Sequence, residues 1–104
     1  MKRPVVWADT ARSDYLRIIR FIAQENPDAA ERVADDLDGA VVGLGEMAIG
    51  RPGRVSGTYE KVVSGLPYII AYAITVEADH GETIAVLHVI HGARDWPEGG
   101  WPEP

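Results

Sequence analysis

The run "LHVIHGARDWP" (87–97) sets an imidazole and a guanidinium close together, His91 and then Arg94, where an apolar stretch ends. Near neutral pH a histidine can take or give a proton. An arginine beside it can hold the charge that builds on a phosphoryl group. Brought next to Glu60 of "TYEKVV", the pair would form an acid/base set able to cleave RNA through its 2′-hydroxyl. The competing reading is structural: Arg94 pairs with a carboxylate, and His91 bonds to backbone at the sheet edge. Residue types alone favour the second.

Two further arginines, Arg51 and Arg54, lie in the Gly/Pro-rich stretch "AIGRPGRVSG" and are candidate phosphate or target contacts. Glu46 and Glu60 nearby weaken the local field. His80, His88 and His91 lack the i, i+4 helical or i, i+2 strand spacing of a metal site, and the chain has no cysteine. No metal and no cofactor are expected. The lack of cysteine also excludes disulfides and thiolate nucleophiles, and it fits a reducing compartment. Trp96 and Trp101 stand in a Pro/Gly-rich tail, where they either fold back onto the body or await a partner.

These residues must be positioned by a small fold. At 104 residues, 46% hydrophobic and 25% charged, the chain has the size and composition of one globular domain. "RPVVWA" (3–8) reads as a first strand. A helix follows, capped by Asp9 or Thr10, with Tyr15, Ile18, Ile19 and Ile22 at helical spacing. Asn26-Pro27 ends it and starts a second helix running to about Met47, with Ala30, Val33, Ala34, Leu37, Val41 and Leu44 as its apolar stripe. Gly39 and Gly43 inside this helix either admit another backbone or fray it early.

After the 48–57 loop the pattern turns to strands at 58–63, 68–77 and 82–91, joined by the short turns "SGLP" and "ADHG". Strict alternation in the last strand points Ile84, Val86, His88 and Ile90 one way, and Ala85, Leu87, Val89 and His91 the other. The expected fold is α+β, in the order β-α-α-β-β-β. An N-terminal helical hairpin packs on a four-stranded, mainly antiparallel sheet, and residues 97–104 form an irregular tail.

Net charge is −6, and each half of the chain carries −3. That distribution argues against RNA or DNA as the main ligand, and against direct DNA binding by this chain alone, because nucleic-acid affinity is largely electrostatic. The N-terminal stretch lacks the apolar core of a signal peptide. The longest apolar run, "LPYIIAYAITV", is far shorter than the roughly 20 residues of a membrane span. A cytoplasmic protein without membrane contact is expected.

The order of elements, together with "GTYEKVVSGLPYIIAY" and "IAVLHVIHGARDWP", resembles the RelE/ParE toxin superfamily over Val5 to Pro97. The resemblance implies the toxin of a type II toxin–antitoxin pair, neutralised by a cognate antitoxin in a hetero-oligomeric complex. RelE-like members cut mRNA on the ribosome, and here Glu60, His91 and Arg94 would be the catalytic residues. ParE-like members lack most of that set and poison DNA gyrase. Tyr59 replaces the basic residue usual before the strand glutamate, Asp95 replaces a further arginine, and the chain is acidic. The resemblance therefore favours a ParE-like toxin, with the ribosome-dependent nuclease as the alternative and a non-toxic antitoxin-binding homologue as a third. Leu16 and Phe21, off the main stripe of the first helix, and Trp96 in the tail are the candidate antitoxin contacts.

Overall fold

The computed structural model describes residues 3–48, 50–79, 81–97 and 99–102. His80 of the expected turn, and Glu98, Glu103 and Pro104 of the expected tail, lie outside the described residues. The elements are β1 (Val5–Trp7), α1 (Asp9–Ala23), α2 (Pro27–Glu46), β2 (Arg51–Pro52), β3 (Tyr59–Val62), β4 (Tyr68–Val76) and β5 (Glu82–His91).

The break between the helices is local chemistry. Asn26 Oδ1 accepts the Ala29 amide at 3.0 Å, and Pro27 presets the backbone of the first turn. At the start of α1 the expected side-chain cap does not form. Ala8 is the cap residue, and the Thr10 hydroxyl instead donates to the Leu87 carbonyl oxygen at 2.6 Å.

The strand order is β1-β5-β4-β3-β2. β3, β4 and β5 form the expected antiparallel meander, and β1 joins β5 in parallel. The sheet has five strands rather than four: Arg51 and Pro52, expected in a loop, pair with Glu60 and Tyr59. A strand of two residues is too short to show alternation. The helical hairpin covers one face, where Ala11, Leu37, Val41 and Leu44 pack on Ile70, Tyr72, Ile84, Val86 and Val89.

One irregularity resets the last strand. Ala71 pairs with His88 but Tyr72 pairs with Val86, so Leu87 is an extra residue in a β-bulge. Strict alternation therefore fails. Val89 joins Val86 on the helix side, while His88 and Ile90 turn to the other face. His88 and His91 still oppose each other, because the bulge precedes both.

Gly39 and Gly43 neither admit a backbone nor fray the helix; both face open space, and α2 continues to Glu46. Gly45 is the position with no room. A Cβ there would lie 2.8 Å from the Arg3 carbonyl oxygen, and the Arg3 amide donates to the Gly45 carbonyl at 2.7 Å.

Candidate functional site

Directly paired residues share a sheet face. The register therefore sets Arg51, Glu60, Ala71 and His88 in one row across β2, β3, β4 and β5. Val62, Ile69 and Ile90 form the adjacent row on the same face, away from the helices. Tyr68 and His91 pair on the helix side, as do Lys61, Ile70 and Val89. Glu60 and His91 consequently lie on opposite faces of the sheet.

Glu60 is 2% exposed and fully engaged. Its Oε2 accepts the Arg54 backbone amide at 2.8 Å, and its Oε1 lies 3.2 Å from an Arg51 guanidinium nitrogen and 3.8 Å from Arg54 Nε. A carboxylate can stay buried only with such compensation. The 53–58 loop curls back to provide it, closed by Gly53 N–H to the Thr58 carbonyl, Thr58 hydroxyl to the Val55 carbonyl, and Gly57 at φ +81°.

His91 Nδ1 accepts the Ala93 amide at 3.0 Å, which places the ring proton on Nε2, and its ring meets Tyr68 edge-on at 5.5 Å. Arg94 lies exposed in the turn beyond, its amide donating to the His91 carbonyl at 3.2 Å. Burial holds the Tyr68 and Tyr72 hydroxyls above their ordinary pKa. For Tyr15, burial and the adjacent Asp38 carboxylate act in the same direction.

A cluster that the sequence reading passed over joins α1 to β5. Asp14, 5% exposed, accepts His88 Nδ1 at 2.8 Å, the Val89 amide at 3.0 Å and an Arg17 guanidinium nitrogen at 2.8 Å. β1 ends at Trp7, so among the described residues β5 has no partner strand beyond Leu87 on that side, and the side chains of α1 complete its edge. One signal was available. Asp14 stands three residues after Ala11 and four before Ile18, on the face the apolar spacing marks for burial.

The candidate antitoxin contacts separate into two places. Leu16 (41% exposed) and Phe21 (72%) border an open groove on α1 together with Ser13, Arg17, Arg20 and Gln24. Trp96 lies instead against the Gly/Pro loop, with the Arg54 guanidinium 3.9 Å above its ring. Among the described residues, no helix is long and apolar enough to cross a membrane.

Chains of solved toxin–antitoxin systems share this fold. A chain of the chromosomal ParDE system from P. aeruginosa superposes with a TM-score of 0.76 at 20% identity, covering 86% of this chain and 96% of that one. A chain of the RelBE2 complex from Mycobacterium tuberculosis gives 0.52 at 22% identity, covering 88% and 99%. Likeness at these identities establishes the fold. The profile of the "ParE toxin of type II toxin-antitoxin system, parDE" matches residues 5–96, and the chain belongs to this family of toxins. A curated relative, "Putative toxin Y4kP" of Sinorhizobium fredii (strain NGR234), is 35% identical over 98 residues, covering 93% of this chain and 96% of that protein.

Proposed function

We propose that this type II toxin acts on DNA gyrase in the cytoplasm and is held inactive by a cognate antitoxin. The observation that carries the choice of target is the placement of Glu60 and His91 on opposite sheet faces. Cleavage through a 2′-hydroxyl needs base and acid on either side of one phosphate, within hydrogen-bond reach of it. Glu60 is also buried and committed to Arg51 and Arg54, which favours a structural role for all three. Arg94, exposed in the turn after β5, is the proposed target contact. On α1, exposed Leu16 and Phe21 interleave with Arg17 and Arg20, a surface suited to an amphipathic antitoxin segment that carries carboxylates.

The test is inducible expression in bacteria without antitoxin, following mRNA integrity and the SOS response in one culture. Arrest with SOS induction and intact mRNA is expected. Ribosome-dependent mRNA cleavage without SOS induction would replace gyrase with the ribosome, and undisturbed growth would leave a chain that only binds its antitoxin.

A further inference from the structure

The tail after β5 lies against the sheet face that the helices leave uncovered. Among the described residues two ring contacts join it to that face, Trp96 under the Arg54 guanidinium at 3.9 Å and Trp101 against the His88 ring at 4.6 Å. The two anchors flank one row of the sheet. Arg54 is bonded to Glu60, Glu60 pairs with Ala71, and Ala71 pairs with His88. Ala71, Ile69 and Ile90 on this face are buried, yet none belongs to the core cluster beneath the helices.

The way the tail is held differs from the way a strand is held. Among the described residues, 95–102 make no hydrogen bond to the sheet, and Gly100 N–H turns back to the Pro97 carbonyl at 3.3 Å. The Trp96 indole N–H is buried without an acceptor, a cost that vanishes once water reaches it. The two tryptophans are five positions apart, and the Gly100–Pro97 turn, with Gly99 at φ +72°, lies between them.

We infer that the tail is a displaceable strap, with Trp96 on Arg54 and Trp101 on His88 releasing together while the rest of the fold stays intact. Release uncovers the Arg54 guanidinium and the His88 ring, at the two ends of the Glu60–Ala71–His88 row. The Trp101 end rests on the same imidazole that Asp14 uses to tie α1 to β5, so strap and helix share an anchor.

The test is fluorine NMR of the full chain labelled with 5-fluorotryptophan, its signals assigned with W7F, W96F and W101F. Under a urea titration, the Trp96 and Trp101 signals should reach their exposed positions together, while Trp7 and the far-UV CD remain native. R54K keeps a cation for Glu60 but loses the planar stack on Trp96. It should raise the open population of both tail signals several-fold. Should R54K fail to fold, W101L read at the Trp96 signal serves in its place. Tail signals that change only with Trp7 in the global transition would overturn the strap. So would an R54K effect confined to Trp96, or a W101L effect absent from it.

Discussion

The Asp14 carboxylate on the first helix accepts the backbone N–H of Val89 on the last strand at 3.0 Å, across 75 residues of sequence. The same carboxylate holds His88 and Arg17. Replacing it by alanine strands a buried amide and an imidazole at once. Asp14→Ala should therefore lower the unfolding free energy by about 2–4 kcal/mol, in the range for breaking a buried polar network. Asp14→Asn keeps one acceptor oxygen and should lose roughly half as much. Urea denaturation of the two variants checks this, and equal losses would show that the second oxygen contributes nothing.

Glu60 supplies the matching case on the other side of the sheet. Its oxygens close the 51–58 loop through Arg51 and Arg54, and this arrangement has no need of a substrate. Glu60→Gln should cost about 1–3 kcal/mol, because a neutral amide leaves two arginines less well compensated. Amide hydrogen exchange should rise first at Gly53 and Arg54. Toxicity should follow the fraction folded; full stability with abolished toxicity would instead give Glu60 a direct part in the poisoning.

The helical glycines separate cleanly. Gly39 and Gly43 face open space, so alanine at either should stabilise the chain by about 0.5–1 kcal/mol through its higher helix propensity. Gly45→Ala gains the same propensity, but its Cβ would meet the Arg3 carbonyl oxygen at 2.8 Å. The net effect should be destabilising, with β1 displaced from α2. Thermal unfolding of the three single variants should move two midpoints up and one down.

The sequence made the elements legible because the hydrophobic period changes from helical to alternating near residue 58, and because Asn26-Pro27 caps one helix while ending another. It hid the register. Leu87 is apolar like its neighbours, so nothing in "IAVLHVIH" marks it as the bulged residue, and one inserted residue reverses the facing of His88 through His91. Proximity in the candidate set was illegible for the same reason: Glu60 and His91 are separated by a sheet whose pairing only the folded chain fixes. Asp14 was legible in part, as a carboxylate on an apolar face, but its partner amide was not. That amide is orphaned only because β1 stops at Trp7.

Burial of tyrosine hydroxyls sets how the fold fails in alkali. Tyr68 and Tyr72 are raised above 10.0 by burial, and Tyr15 by burial and then by Asp38. A raised pKa means that the folded chain holds the phenolic proton more tightly than the unfolded one. The associated stability is fully present below about pH 10 and is lost as pH rises through the folded-state pKa values. Urea midpoints should therefore stay level from pH 8 to 9.5 and fall above that, with tyrosinate absorbance near 295 nm developing in step. Tyr68 is the cleanest probe, since burial alone raises it and, among the described residues, its hydroxyl makes no hydrogen bond. Tyr68→Phe should change stability at pH 7 by no more than about 0.5 kcal/mol yet flatten the alkaline limb. An unchanged limb would assign the alkaline loss to Tyr15 and Tyr72.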